Sequence, residues 1–261
     1  MTEPLDIQSR DNPLLVTLRK LAKDPGGYRK AGLVWLEGDH LCSALLARGL
    51  RPQQALISDS GWARPALRAL AQAAPRLLRL PDALMAGLST LESPAPIGFV
   101  LAAPAVPAIN PQAATVVLDR VQDAGNVGSI LRSAAAFGVA QVLALRGTAA
   151  LWSPKVLRAG MGAHFGLHLV EGLQLDDLAA LAVPLVGTSL ATEVVLPTAA
   201  LPRPCAWVLG HEGQGVSAEL LARCALQLRI PQPGGEESLN VAAAAAVCFY
   251  ESARQRPARP A

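Results

Sequence analysis

The sequence predicts an α/β protein in two parts, on three observations. Short apolar runs alternate with helical stretches along all 261 residues. In the second half those runs are apolar without polar alternation, which marks a parallel sheet covered on both faces. Between the halves lies Ala102 to Ala114, AAPAVPAINPQAA, with three prolines and no periodicity. Proline fixes its own φ and keeps its predecessor extended, so this stretch reads as a semi-rigid spacer. The expected division is an N-terminal α/β domain over residues 1–103, a linker over 104–114 and a parallel-sheet domain over 115–261.

In chain order, residues 10 to 30 carry Arg10, Arg19, Lys20, Lys23, Arg29 and Lys30 against Asp11 and Asp24, while Leu14, Leu15, Leu18 and Leu21 keep helical spacing. This is an amphipathic helix with a basic face. Residue by residue it reads as a solvated face, and as a segment it suits phosphate contact. Strands follow at Leu33 to Leu36, Ala55 to Ser58, Arg76 to Leu80 and Ile97 to Leu101. Helices are expected at Gly38 to Arg48 with Gly49 as its stop, Ala63 to Ala73 and Pro81 to Gly87. The second half places strands at Thr115 to Leu118, Gln141 to Leu145, Leu167 to Val170, Pro184 to Gly187, Ala206 to Leu209 and Leu226 to Ile230. Its helices are Asn126 to Phe137, Pro154 to Ala159, Leu175 to Leu181, Ser217 to Arg223 and a final one opened by Ser238.

Composition narrows the class. Hydrophobic residues make up 51% and charged residues 16%, which is globular and not disordered. A net charge of +3 neither demands nor excludes a nucleic acid partner. Cys42, Cys205, Cys224 and Cys248 are scattered with no C-x-x-C pair, which argues against zinc and disulfides and suits a reducing cytosol. The start, MTEPLDIQSRDNP, is unlike a signal peptide. The longest apolar run, Val241 to Tyr250, is far short of the ~20 residues that a membrane span needs. The expectation is a cytoplasmic protein without membrane or metal.

Ligands of parallel sheets sit beyond the carboxyl ends of the strands, and three unusual loops lie there. DRVQDAGNVGSILR, from Asp119 to Arg132, has Gly125 and Gly128 for close backbone approach. In it Asn126 reads equally as a helix N-cap, while Arg132 is flanked by Ile130, Leu131, Ala134 and Ala135 and so needs a partner for its charge. VLGHEGQGVS, Val208 to Ser217, carries three glycines in an order that is not the dinucleotide fingerprint G-x-G-x-x-G. The third, IPQPGGEESLNVAAAAAVCFYE, joins a strand end through a proline and glycine loop to a helix of alanines, and small side chains let a helix pack closely.

Together these three segments resemble, in order and separation, the signature motifs of the SpoU/TrmH-type SPOUT RNA methyltransferases. The resemblance covers the second domain. The first domain, through SRDNPLLVTLRKL and VWLEGDHLCSALLARG, more loosely resembles the small RNA-binding domain that many members carry in front. The resemblance implies a parallel-sheet SPOUT domain with a trefoil knot and a homodimer. It also implies methyl transfer from S-adenosylmethionine to a ribose 2′-hydroxyl in structured RNA. It assigns catalytic positions to Asn126, Arg132, Glu212, Ser238 and Asn240. The cofactor positions are Leu209, Gly210, Glu212, Gly213, Ile230, Ser238 and Leu239, held mainly through backbone. Ala124, His211 and Gln232 depart from the usual Pro, Asn or small residue, and Met, and none removes a catalytic group. Glu236 and Glu237 receive no role.

A ribose hydroxyl is a weak nucleophile that must lose its proton as the methyl arrives. A free guanidinium is a poor base. Arg132 is therefore expected to bind the adjacent phosphate and stabilise the developing alkoxide, with Asn126, Ser238 and Asn240 orienting it. Ribosomal RNA is the expected substrate, with transfer RNA as the alternative. The competing classes are a non-catalytic RNA-binding or ribosome-assembly protein and, less favoured, a nucleotide-dependent oxidoreductase. The last residues, Arg254 to Ala261, read as a short frayed tail.

Overall fold

The structure, a computed structural model, describes residues 3–234 and 238–256. Glu236, Glu237 and the tail from residue 257 onward lie outside the described residues. Contacts divide the chain into two compact units, residues 1–105 with 152–165, and residues 106–151 with 166–261.

The first unit runs β1 (Leu5–Asp6), α1 (Pro13–Lys23), α2 (Gly27–Ala31), β2 (Leu33–Glu37), α3 (Asp39–Ala47) and β3 (Gln54–Ser58), followed by α4 (Asp59–Trp62), α5 (Pro65–Ala71), β4 (Leu77–Leu80), α6 (Asp82–Ala86) and β5 (Ile97–Ala102). Its sheet has the order β1-β4-β3-β5-β2. β1, β4 and β3 are parallel, and β5 is antiparallel to β3 and β2. α1 begins because Asn12 accepts the Leu14 amide at 3.0 Å and Pro13 fits the first turn. It buries Leu15, Leu18 and Leu21 and leaves Lys20 and Lys23 exposed in its last turn. The helix expected over Ala63 to Ala73 is the shorter Pro65–Ala71, preceded by the separate α4, because Pro65 keeps Arg64 extended at φ −90° and ψ 113°.

The second half continues with β6 (Thr115–Asp119), α7 (Ala124–Ala136), β7 (Gln141–Leu145), α8 (Pro154–Gly160), β8 (His168–Leu173), β9 (Leu185–Thr188), β10 (Ala206–Gly210), α9 (Ala218–Ala222), β11 (Leu226–Leu228) and α10 (Val241–Arg254). Six strands form a wholly parallel sheet in the order β11-β9-β10-β6-β7-β8. β6, β7 and β10 are buried at every position, as unalternating apolar runs demand. Leu175 to Leu181 is a 3₁₀ segment, Leu175–Ala180, and β11 stops at Leu228, with Arg229 bridging to Val195.

Two parts of the expected division differ. Residues 152–165, expected in the second domain, group with the first unit. There α8 packs on β2, and the Arg158 guanidinium lies 3.6 Å from the Glu37 carboxylate. Residues 106–114, expected as linker, group with the second unit. The buried Gln141 side chain holds Asn110 through its amide at 2.7 Å and its carbonyl at 3.1 Å, and His168 Nε2 lies 2.6 Å from the Ala108 carbonyl.

α10 lies on α7 and β10, and Trp207 Nε1 donates to Ser252 Oγ at 2.8 Å across that contact. Phe249 is fully buried in α10. Truncating a buried Phe removes its transfer energy and leaves a cavity. Phe249→Ala is expected to lower the unfolding free energy of the second unit by about 3–5 kcal/mol in urea denaturation.

Candidate active site

The site begins with strand register. Asp119, the last residue of β6, pairs with Gly210, the last of β10, so the loops leaving these strands start side by side. The first loop turns into α7, capped by Asp123, whose carboxylate accepts the Asn126 amide at 2.9 Å. Asn126 was read from sequence as a possible N-cap, but it lies inside the first turn. Its side chain is thereby directed elsewhere: Nδ2 donates to Glu212 Oε1 at 3.1 Å, and Oδ1 accepts from Asn240 Nδ2 at 3.1 Å.

Glu212, on the loop leaving β10, also accepts the backbone amides of Gln122 at 3.2 Å and Asp123 at 3.0 Å. Burial pushes its carboxyl up, but the Asp123 amide, the Asn126 side chain and further backbone amides outweigh it and hold it at about 2. Asn240 is the N-cap of α10, its Oδ1 accepting the amides of Ala242 at 2.9 Å and Ala243 at 3.2 Å. Ser238, expected in that role, precedes the helix, is exposed, and makes no hydrogen bond with another described residue. Asn126, Glu212 and Asn240 thus form one connected chain across three loops.

Behind it stands a second set, of which the sequence carries little trace. Asp119 Oδ2 accepts the Ser217 amide at 2.7 Å and Oδ1 accepts Arg120 Nε at 3.0 Å. Burial pushes the Asp119 carboxyl up, yet Arg120 and Ser217 outweigh it and hold it below its ordinary range. Arg120, at φ +59°, reaches on to Gln214 Oε1 at 3.1 Å. A carboxylate ending an otherwise apolar strand is the one trace of this brace in the sequence.

The loops leaving β9 and β10 and the stretch before α10 line a cleft of about 930 Å³, and Asn126 and Arg132 are not among its lining residues. Leu209, Gly210, Glu212, Gly213, Ile230, Ser238 and Leu239, the residues expected to hold a cofactor, all line it, as does Asn240. So do Thr188, the last residue of β9, and Ser189 and Leu190 after it, which only the rule about strand ends could have pointed to. Gly210 admits no side chain: a Cβ there would lie 2.1 Å from the main chain of Gly215 and Val216. The cleft therefore pairs apolar side chains (Leu209, Ile230, Leu239) and bare backbone with polar ones (Ser189, Glu212, Ser238), a lining that suits an organic ligand with both apolar and hydrogen-bonding parts. Among the described residues no group of three His, Cys, Asp or Glu side chains could hold a metal, and no helix is long and apolar enough to cross a membrane.

Arg132 is set apart from the others. It is exposed on α7, and it makes no hydrogen bond or ion pair with another described residue. Its neighbours Ile130, Leu131 and Ala134 are buried on the opposite side of the helix, so the expected apolar surroundings are absent. The guanidinium is presented outward, free to meet an external anion.

Residues 113–250 match the SpoU rRNA Methylase family. The chain is 33% identical, over 96% of its own length and 94% of the relative's, to an uncharacterised tRNA/rRNA methyltransferase of Synechocystis sp.. A crystal structure of an RNA 2′-O ribose methyltransferase superposes with a TM-score of 0.80 at 30% identity, covering 96% of this chain and 99% of that one. An AdoMet-bound rRNA methyltransferase from Sinorhizobium meliloti gives 0.83 at 25% identity, covering 96% and 97%.

Because the Glu212 carboxyl is depressed from its ordinary 4.5 to about 2, what its ionised form contributes is fully present above 4.5 and is lost as pH falls through about 2. A carboxyl carbon NMR titration is expected to place its midpoint near 2. A midpoint at the ordinary value would mean that the donors around it are not engaged.

Proposed function

The chain belongs to the SpoU rRNA Methylase family, and from that premise we propose that it transfers a methyl group from S-adenosylmethionine to a ribose 2′-hydroxyl of ribosomal RNA. The observation that carries this reading is the joining of the three motif loops through Glu212, Asn126 and Asn240, beside a cleft that the second and third of them line. Such a junction, placed beyond the ends of parallel strands, is what a preorganised transfer site requires.

The cofactor would be held by the main chain around Gly210 and Gly213, with Leu209, Ile230 and Leu239 as apolar walls. When bound, it supplies an electrophilic methyl group on a positively charged sulfur. The chain's own groups do the rest. Asn126 is occupied with Glu212 and Asn240, and Asn240 with Asn126 and the first turn of α10, so their part in this reading is to fix the loops. Arg132, with its charge turned outward, would bind the phosphate beside the target ribose and stabilise the alkoxide as the hydroxyl proton leaves. Ser238, exposed at the cleft with its hydroxyl uncommitted among the described residues, is placed to hydrogen-bond a ligand.

RNA would be gathered by the first unit, where Lys20, Lys23 and Lys30 are exposed on or beside α1. A homodimer is supported by apolar side chains left open along α10 and its approach, with Leu239 40%, Val247 40% and Tyr250 56% exposed. We assign the protein to the cytoplasm. Transfer RNA is the alternative substrate.

Arg132→Ala is expected to abolish methylation of ribosomal RNA while leaving calorimetric binding of S-adenosylhomocysteine and of RNA within about threefold of wild type. Near-normal turnover in that variant would remove Arg132 from the chemistry. A wild-type chain that binds neither S-adenosylmethionine nor its product would instead favour a non-catalytic RNA-binding protein, and binding of NAD would favour an oxidoreductase.

A further inference from the structure

His211 leaves β10 immediately after Gly210, and it lines the cleft. Its Nδ1 accepts the backbone amides of Gly213 at 3.0 Å and Gln214 at 3.3 Å. A backbone amide can only donate, so Nδ1 must present its lone pair, and the proton of the neutral ring must sit on Nε2. The same residue closes the turn through its main chain: its amide donates to the Gly215 carbonyl at 3.0 Å, and the Gly215 amide returns to the His211 carbonyl at 2.8 Å. Gly215 sustains this with φ +69°, a conformation that suits glycine.

That turn lays the main chain of Gly215 and Val216 against Gly210, so close that no Cβ fits between them. Both sides of the contact line the cleft. The position of the ring lone pair therefore fixes where the glycine-rich wall stands. Neighbouring groups do not substitute for it. The Glu212 carboxylate is taken up by Gln122, Asp123 and Asn126, and Arg120 grips the side chain of Gln214 and leaves its amide to the imidazole.

We infer that His211 is a positioning residue for the cofactor cleft, its Nδ1 lone pair holding the 211–215 turn and thereby setting the main-chain wall that receives S-adenosylmethionine. The inference rests on the function proposed above. An asparagine carbonyl can make the same bonds to amides two and three residues on. His211→Asn should therefore preserve the wall, and His211→Ala should release it.

Three measurements on the full chain test this. In the ligand-free protein, hydrogen exchange at the Gly213 and Gln214 amides is expected to quicken about tenfold in His211→Ala and to stay near wild type in His211→Asn. In calorimetry the Kd for S-adenosylhomocysteine is expected to rise about tenfold in the alanine variant and to be restored in the asparagine variant. In turnover, KM for the methyl donor should rise while kcat at saturation holds. An alanine variant that binds within about twofold of wild type overturns the inference, as does an asparagine variant as weak as alanine. If the wild-type chain binds no S-adenosylhomocysteine, the proposed function falls, and unchanged amide exchange in the alanine variant then overturns the role of His211 by itself.

Discussion

Glu212 rides on a loop that leaves β10, yet its oxygens answer to groups that leave β6: two backbone amides at the mouth of the first loop and the amide side chain of Asn126. An ionised carboxylate is a strong acceptor, and donors that converge on it are held more firmly than neutral pairs would be. Through Asn126 the constraint passes to Asn240 and so to the first turn of α10. Each bond in such a series polarises the next. Without the carboxylate, the loop leaving β10 would lose its link to Asn126 and, through it, to Asn240, and would keep only the brace that Asp119 and Arg120 supply.

The sheet makes this anchoring possible at modest cost. Parallel strands deliver Asp119 and Gly210 to one edge in register, so the two loops need not search for one another. Asp119 then converts a strand end into a clasp by taking the amide that opens α9 and by seating Arg120 in a backbone conformation that non-glycine residues adopt sparingly. The loop leaving β10 is consequently tied at Glu212, at Gln214 and at Ser217, while the imidazole of His211 secures it from within. Rigidity of this kind suits a site in which geometry supplies much of the rate.

Much of this arrangement was legible in the sequence because it is written locally. Apolar unalternating runs mark buried parallel strands, and glycine clusters at their ends mark backbone brought close to something else. The choice among neighbouring caps was less legible. Asp123 and Asn126 are both good caps, as are Ser238 and Asn240; Asp123 caps α7 while Asn126 reaches Glu212, and Asn240 caps α10 with its Oδ1 while its Nδ2 reaches Asn126. The sequence neighbours of Arg132 mislead about its surroundings: Ile130, Leu131 and Ala134 are buried, but the helical turn carries residue 132 to the exposed side with Ser129 and Ala136. Arg120 with Gln214, and the residues after β9, meet their partners across long stretches of chain, a pairing that no window of sequence reports.

The interleaving of the two units bears on how the chain can be made. The first unit is not closed when residue 105 has been synthesised, because α8, encoded after the first two strands of the parallel sheet, belongs to it. Synthesis proceeds at roughly 5–20 residues per second, so for several seconds β2 exists without the helix that covers it. During that interval the part of β2 that α8 covers is open to other partners, while α1, α2 and α3 already lie against the strand. Dividing the gene at the proline-rich stretch would make that vacancy permanent, leaving one fragment short of a helix and the other with a surplus one.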